Sequence, residues 1–204
     1  MKLYISRMSP FVRKVLVMAA EAGIGDRVEP VEVTVSPVAP DPDVNRGNPL
    51  GKIPCLVTDD GTALYDSPVI CEYLDAIHTG RKMFPPVGPQ RWTALRRQAL
   101  ADGILDAAIL ARYEAALRPE ERRWSDWVKG QKGKVERALD ALEAEAPQLR
   151  DMVDIGTIAI ACALGYLDFR FAEDNWREGR PQLADWYGGF SERRSMQQTR
   201  PPAG

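Results

Sequence analysis

The chain has 204 residues, of which 45% are hydrophobic and 27% charged, values typical of globular proteins and not of disordered or fibrous ones. Its 27 basic and 29 acidic side chains give a net charge of −2, whereas a nucleic-acid partner usually requires a basic excess. No apolar stretch approaches the roughly 20 residues that span a bilayer, and the amino terminus lacks a signal-peptide pattern. We therefore expect one large or two small domains with neither a nucleic-acid nor a membrane partner.

The first third of the chain alternates strand and helix patterns. Period-2 alternation predicts strands at Lys2–Ser6 and Val28–Val35, and Pro30 favours an edge position for the second. Two further strands are predicted at Ile53–Thr58 and Thr62–Tyr65. Because these strands alternate with helix patterns, the first third of the chain is expected to form an α/β domain.

Two Ser-Pro dipeptides predict helix starts, because Ser caps helices and Pro suits the first helical position. The helix that begins at Ser9-Pro10 is expected to end at Gly23, and the other begins at Ser67-Pro68. The Pro- and Asp-rich segment 36–51 predicts a loop with about one helical turn. The α/β domain is thus expected to span residues 1–78.

All strand patterns disappear after a Pro- and Gly-rich linker at residues 79–89. Apolar residues at helical spacing predict helices at Arg91–Leu117 and Pro119–Leu142, a nearly all-apolar central helix at Ile155–Phe169, and a last helix at Pro181–Phe190. The remaining chain from Arg193 is polar and contains prolines. The sequence therefore predicts an all-helical domain over residues 90–204.

Several charged residues are expected to have structural roles or to lie on the surface. Asp151 is the expected N-cap of the central helix, with Asp154 in its first turn. Asp168 is expected to pair with residues such as Arg170. Three basic residues are expected to lie on solvated surfaces: Arg13, Lys14 and His78.

Several familiar sites are not indicated. The chain has no Gly-rich dinucleotide or P-loop motif, no G-x-S-x-G elbow, and one histidine in total. Its three cysteines, Cys55, Cys71 and Cys162, fit neither a zinc site nor a disulfide framework. Because they lie in apolar segments, we expect buried, reduced thiols in a cytoplasmic protein without a metal.

Three motifs in the first domain carry the strongest functional signal. They are Ser9-Pro10-Phe11-Val12-Arg13-Lys14, Asn48-Pro49-Leu50-Gly51-Lys52-Ile53-Pro54 and Asp66-Ser67-x-x-Ile70-x-Glu72-Tyr73-Leu74. In order and spacing they resemble the glutathione transferase superfamily, in its serine-type bacterial branch. The resemblance continues through Ala101–Asp106 and Asp154–Arg170, and so covers essentially the whole chain.

The resemblance implies a thioredoxin-like N-terminal domain, followed by the helical domain, with glutathione as co-substrate. It implies a cis Ile53–Pro54 peptide, beside which the cysteinyl backbone of glutathione pairs with Ile53 like an added strand. Asp66 and Ser67 would hold the γ-glutamyl end. Lys52 would approach the glycyl carboxylate, and Phe11 also belongs to the implied glutathione site.

Ser9 is the implied catalytic residue. A free thiol has a pKa near ~8.5, and the thiolate is the nucleophile. A hydroxyl donor at a helix N-terminus would stabilise that thiolate by about 1.36 kcal/mol for each unit by which it lowers the pKa. Because Ser9-x-x-Val12 replaces the Cys-x-x-Cys of thioredoxin-like redox proteins, we expect no disulfide exchange by the protein itself.

Each assignment has a plainer alternative. Ser9 would serve as an N-cap alone, with Ser6 as the rival hydroxyl within the strand. Asp66-Ser67 would be a helix cap, Ile53-Pro54 an edge-strand trans proline, and Lys52 merely solvated.

The second substrate is expected to be a small electrophile. It would lie in an apolar cleft between the domains bounded by Met8, Phe11, Tyr113 and Tyr166, and Arg112 nearby would favour an anionic or polarised substrate. Asp102 resembles a family position that reaches the glutathione of the partner subunit, which implies a homodimer. Conjugation for detoxification is the leading function; a regulatory glutathione-binding scaffold and a glutathione-dependent peroxidase or reductase remain alternatives.

Overall fold

The structure is a computed structural model that describes residues 1–202. The chain divides into two compact units: residues 1–91 join the segment from Arg193 in one, and Trp92–Glu192 form the other. Among the described residues, no helix has the length and apolar character needed to cross a membrane.

The first unit contains a four-stranded mixed sheet. Its strands are β1 (Lys2–Ile5), β2 (Glu29–Glu32), β3 (Cys55–Val57) and β4 (Ala63–Leu64), in the spatial order β2-β1-β3-β4. β1 pairs in parallel with β2 and antiparallel with β3, which pairs antiparallel with β4. This is the thioredoxin-like arrangement that the resemblance implies, and β2 is the edge strand that its proline indicates.

Helices fill both units. In chain order they are α1 (Pro10–Glu21), α2 (Pro42–Gly47), α3 (Ser67–Ala76), α4 (Gly88–Ala116), α5 (Ser125–Glu145), α6 (Ile155–Arg170), α7 (Pro181–Ser191) and α8 (Arg194–Gln198). The first unit holds α1, α2, α3 and α8, and α1 packs against α3. The second unit contains α5 to α7 and nearly all of α4, so its described part is all-helical, as the sequence predicts.

α6 is buried along its length except for its last three residues. Its N-cap is Asp154 and not Asp151, so that expectation is wrong. The Thr157 N–H donates to the Asp154 carboxylate at 2.9 Å, and the Asp154 N–H donates to the Thr157 hydroxyl at 2.9 Å. This reciprocal capping box satisfies two N–H groups, whereas Asp151 has a left-handed backbone, with φ of 57°.

The second predicted helix of the all-helical region starts later than expected. Pro119 has an extended backbone, and α5 begins at Ser125 and not at Pro119. The Trp124 N–H donates to the Glu114 carboxylate at 2.8 Å, and this bond ties the intervening turn to the end of α4. The helix therefore cannot extend back to the proline.

The polar tail from Arg193 contains α8, which docks on α1. Arg193 donates two hydrogen bonds to the Glu21 carboxylate, at 2.8 and 2.7 Å. The Arg13 guanidinium donates to the Met196 carbonyl at 3.1 Å. Arg13 is therefore buried and not solvated. The apolar pattern of α1 does not predict its contact with the distant Met196 carbonyl.

Two other basic side chains predicted to be solvated are also buried. Lys14 lies 5.6 Å from the centre of the Phe11 ring. His78 lies 3.0 Å from the Asp75 carboxylate through Nε2, and its Nδ1 accepts the Gly80 N–H at 3.1 Å. These polar contacts offset the cost of burying the side chains.

Asp168 pairs with a different arginine from the one expected. The guanidinium of Arg177 donates to both oxygens of the Asp168 carboxylate, and the Trp176 indole N–H donates to it at 2.7 Å. Arg170 instead stacks on the Phe169 ring at 3.7 Å. Asp168 is structural, as the sequence suggests, but its partner lies beyond the end of α6.

Candidate functional site

The strand register brings the three motifs to one end of the sheet. Ser9 follows the carboxyl end of β1, and Ile53-Pro54 precedes the amino end of β3, whose Cys55 lies opposite Tyr4. Asp66-Ser67 follows the carboxyl end of β4, whose Leu64 lies opposite Leu56. Because the β1–β3 and β3–β4 pairs are both antiparallel, these three segments meet at the same end of the sheet.

Ser9 is the N-cap of α1, as its sequence context predicts. The Val12 N–H donates to the Ser9 hydroxyl oxygen at 3.3 Å. Within residues 1–202, the Ser9 O–H donates to no protein group. The first turn of α1 contains no acidic residue, so the positive end of the helix dipole is not opposed there. The half-buried hydroxyl can therefore donate to an anion.

The Ile53–Pro54 peptide is cis, as the resemblance implies. In the described part of the chain, neither the N–H nor the C=O of Ile53 enters a hydrogen bond. Buried Asn48 fixes the approach to this peptide: its amide donates to the Lys52 carbonyl at 2.8 Å and accepts the Leu50 N–H at 3.0 Å. Ile53 thus presents a backbone donor and acceptor, on a loop that one side chain holds.

Asn48 is a positioning residue to which the sequence analysis assigned no role. It belongs to the second motif, and an Asn-Pro dipeptide favours turns in which the side chain bonds the backbone. That signal predicts the turn, whereas the contact with the Lys52 carbonyl depends on the folded loop.

Asp66 and Ser67 form the start of α3. Asp66 is the exposed N-cap, and its carboxylate accepts the Ser67 N–H. The Ser67 hydroxyl is fully buried and finds no hydrogen-bond partner among the residues described. Buried polar groups normally have a partner, so this hydroxyl is available to a ligand at the helix start.

The other residues assigned to the first unit differ in exposure. Lys52 is exposed, Phe11 is half-buried, and Met8 is 52% exposed in the turn before Ser9. Cys55 is fully buried, as expected, and burial raises the pKa of its thiol. Its Sγ would lie 2.9 Å from a Cβ at Gly47, so this thiol is packed and unreactive.

Most of the residues assigned to the second substrate belong to the second unit. Arg112 and Tyr113 are half-buried on α4, where Asp102 also lies, and Tyr166 is buried on α6. Burial raises the pKa of Tyr166 to about 12, although the charges of Arg112 and Arg170 oppose that rise. Arg170, which the sequence analysis assigned only as an ion-pair partner, thus belongs to the same electrostatic cluster.

Comparison with known proteins agrees with this geometry. Residues 8–77 match the glutathione S-transferase N-terminal domain, and residues 125–189 match the C-terminal domain. The chain is 38% identical to the uncharacterized GST-like protein YibF of Escherichia coli K12, over 99% of both chains.

Solved structures are also similar over nearly the whole chain. A glutathione transferase family member from Pseudomonas fluorescens Pf-5, with bound glutathione, is 51% identical, with a TM-score of 0.97 over 98% of both chains. A second structure of a glutathione transferase family member from the same organism, with bound S-(propanoic acid)-glutathione, is 49% identical, with a TM-score of 0.92 over 99% of this chain and 100% of the other. With both domains matched and relatives aligned from end to end, the chain belongs to the glutathione S-transferase family.

Proposed function

We propose that the protein is a glutathione transferase of the serine type, which joins the glutathione thiolate to a small electrophile. The observation that carries this proposal is the Ser9 hydroxyl. It accepts the Val12 N–H at 3.3 Å and keeps its own proton for a ligand. A thiolate at the start of α1 would receive that proton in a hydrogen bond and would also interact favourably with the helix dipole.

Glutathione binding rests on the groups at the same end of the sheet. The backbone N–H and C=O of Ile53 pair with the cysteinyl unit, as in the addition of a strand. The buried hydroxyl of Ser67 and the N-terminus of α3 bind the γ-glutamyl carboxylate, and Asp66 attracts the ammonium group. Lys52 adds positive charge for the glycyl carboxylate, and Phe11 contributes packing.

The reaction needs no general base. Stabilisation of the thiolate lowers the thiol pKa, so the proton leaves to solvent before the chemical step. The sulfur then forms a bond to an electrophilic carbon, and the displaced electron pair leaves with a departing group or is protonated by water. Ser9 keeps its proton throughout and acts only as a donor.

Conjugation is favoured over peroxidase or reductase chemistry by the similar structure that carries S-(propanoic acid)-glutathione. An S-substituted glutathione has the chemical form of a conjugation product and not that of the disulfide that peroxide reduction yields. The presence of serine and valine at the Ser9-x-x-Val12 positions also argues against a local dithiol.

Arg112, Tyr113 and Tyr166 of the second unit contact the electrophile. The active protein is a cytoplasmic homodimer that detoxifies small electrophiles, in which Asp102 approaches the glutathione of the other subunit.

Two assays test this function on the intact protein. We expect retention on immobilised glutathione, release by free glutathione, and conjugation of at least one electrophile from a chemically varied panel. Ser9→Ala should still be retained but should conjugate slowly, whereas Ser67→Ala should be retained weakly. Retention without conjugation would identify a binding scaffold, and turnover of peroxides alone would identify a peroxidase; either result contradicts the proposal.

A further inference from the structure

The two ends of a bound glutathione meet different surroundings in the first unit. The proposed γ-glutamyl site lies at the start of α3, where the Ser67 hydroxyl is fully buried and has no hydrogen-bond partner among residues 1–202. The first N–H groups of α3 and its helix dipole also favour a carboxylate at this position. The γ-glutamyl end therefore has a buried donor and a helix start to receive its acid group.

The middle of the site is also well defined. Ile53 presents a backbone N–H and C=O that form no hydrogen bond in the described part of the chain. Asn48 is only 2% exposed, and its side chain holds the Lys52 carbonyl at 2.8 Å. Gly51 is closely packed as well, since a Cβ there would lie 2.8 Å from the Asn45 side-chain oxygen. A cysteinyl backbone that pairs with Ile53 therefore meets a fixed edge.

The glycyl end of glutathione points away from α3, because the glycyl and γ-glutamyl units lie on opposite sides of the cysteinyl unit. Of the two cations between residues 40 and 60, Arg46 pairs with the Asp43 carboxylate. The other, Lys52, is exposed, and its ammonium forms neither an ion pair nor a hydrogen bond within residues 1–202. The positive charge available to the glycyl carboxylate therefore lies in solvent.

An exposed lysine contributes little to affinity and little to selectivity. A solvated ion pair changes a binding constant by at most about fivefold, because water and salt screen it. A hydrogen bond to a charged group contributes more, about ten- to a hundredfold. Lysine also carries its charge on a flexible stem, so Lys52 can pair with a carboxylate at more than one position of the ligand.

We propose that the site accepts γ-glutamylcysteinyl thiols as a class and does not select for the glycyl residue. γ-Glutamylcysteine is the smallest member: its cysteinyl carboxylate accepts the Ile53 N–H, and Lys52 pairs with its charge. The reaction is unchanged, since the sulfur bonds to the electrophilic carbon and the leaving group departs with the electron pair. This inference rests on the proposed function and widens its thiol substrate from one tripeptide to a class.

Calorimetry on the intact protein compares glutathione with three reduced analogues: γ-glutamylcysteine, cysteinylglycine and the amide of the glycyl carboxylate. We expect γ-glutamylcysteine to bind within about tenfold of glutathione. Cysteinylglycine, which lacks the γ-glutamyl end, should bind at least about a hundredfold more weakly. The amide should bind about two- to fivefold more weakly at low salt, and this difference should disappear in about 1 M sodium chloride.

Substitution of one lysine tests the assignment of the charge. Lys52→Gln should lower the affinity for glutathione about two- to fivefold and remove its preference over the amide. Lys2→Gln is the matched control and should keep the preference, because Lys2 is exposed at the amino end of β1 whereas Ser9 follows the carboxyl end. Ser67→Ala should weaken glutathione and γ-glutamylcysteine by the same factor, since both carry the γ-glutamyl end. A preference that survived Lys52→Gln would overturn the role of this lysine.

Kinetics with an electrophile that glutathione converts complete the test. γ-Glutamylcysteine should give a kcat within about threefold of that of glutathione, since the contacts it loses act equally in the ground and transition states. A loss of affinity above about tenfold for γ-glutamylcysteine, or an amide difference that survived about 1 M salt, would reveal a buried glycyl subsite. Either result would overturn this inference and leave glutathione conjugation intact. Failure of glutathione itself to bind would instead overturn the proposed function, and this inference with it.

Discussion

The Val12 N–H donates to the Ser9 hydroxyl oxygen at 3.3 Å, so one side chain both caps α1 and presents a proton at its start. The two roles use different parts of the hydroxyl: the cap uses a lone pair and the thiolate would use the O–H. The plain N-cap interpretation and the catalytic one are therefore compatible. Substitutions at Ser9 must be chosen to separate them.

Ser67→Ala should weaken glutathione binding more than it slows the reaction. The contact is remote from sulfur and is the same in the ground and transition states, so KM for glutathione should rise and kcat should stay within a few-fold. Because the hydroxyl has no partner among residues 1–202, its removal should cost little stability. A fall in kcat at constant KM, measured by steady-state kinetics, would refute the γ-glutamyl assignment.

Asp154→Ala should destabilise the second unit by about 1 kcal/mol, because it removes the N-cap of α6. Asp154→Asn is the matched control, since asparagine caps helices about as well as aspartate. Denaturant unfolding measures both variants, and KM for glutathione should be unaffected in either. If Asn proved as damaging as Ala, the charge of Asp154 and not the cap would be the stabilising feature.

The loss of stability on acidification should depend in part on Glu21. Hydrogen bonds from Arg193 hold the pKa of Glu21 below its ordinary value, although burial opposes this effect. A carboxyl with a lowered folded pKa stabilises the protein above its unfolded pKa of about 4.3, and this stabilisation is lost as the pH falls through the folded value. Glu21→Gln should therefore be less stable at neutral pH, and the difference should shrink on acidification.

Denaturant midpoints measured at several pH values between about 7 and 3 test this expectation. Exposed Glu32, which pairs with the exposed Arg7 at 2.8 Å, supplies the control Glu32→Gln, for which we expect no comparable pH dependence. Parallel curves for the unaltered protein and Glu21→Gln would contradict the role assigned to the docking of α8.

The protein should sediment as a homodimer of about twice 22.7 kDa at micromolar concentration. Val69 on α3 is 48% exposed and Trp92 on α4 is 67% exposed, and large exposed apolar side chains are common at interfaces. Trp92→Glu should weaken the dimer without unfolding the subunit. A monomer with full activity would contradict both the dimer and the shared-site role of Asp102.

Local sequence patterns predict the elements that carry the site. Ser-Pro dipeptides mark the starts of α1 and α3, and alternation marks the strands, because caps and periodicity act within a few residues. The resemblance of the three motifs supplies what these patterns do not, namely the cis Ile53–Pro54 peptide and the assignment of the motifs to one glutathione site.

Contacts between distant residues account for what the sequence analysis missed. The docking of α8 depends on Arg193 and Glu21, which are far apart in the chain but hydrogen-bonded in the fold. Both Asp151 and Asp154 are residue types that commonly cap helices. Asp154 is the cap of α6 because it exchanges two hydrogen bonds with Thr157. The pairing of Asp168 with Arg177 likewise requires the chain to turn after α6.

The most direct test of the account is the pKa of the glutathione thiol bound to the protein, titrated by the ultraviolet absorbance of the thiolate. We expect a value below the ~8.5 of a free thiol. Ser9→Ala and Ser9→Gly should raise it by about one to two units, because a hydrogen bond to a charged group contributes about 1.5–3 kcal/mol. Activity at neutral pH should fall at least tenfold in both variants.

Matched variants separate the hydroxyl from the cap. Glycine caps a helix nearly as well as serine, and threonine keeps both the cap and the hydroxyl. Ser9→Gly should therefore lose the pKa shift while retaining stability, and Ser9→Thr should keep most of the shift. An unchanged thiol pKa in Ser9→Ala and Ser9→Gly, with glutathione still bound, would contradict the central claim and direct attention to Ser6.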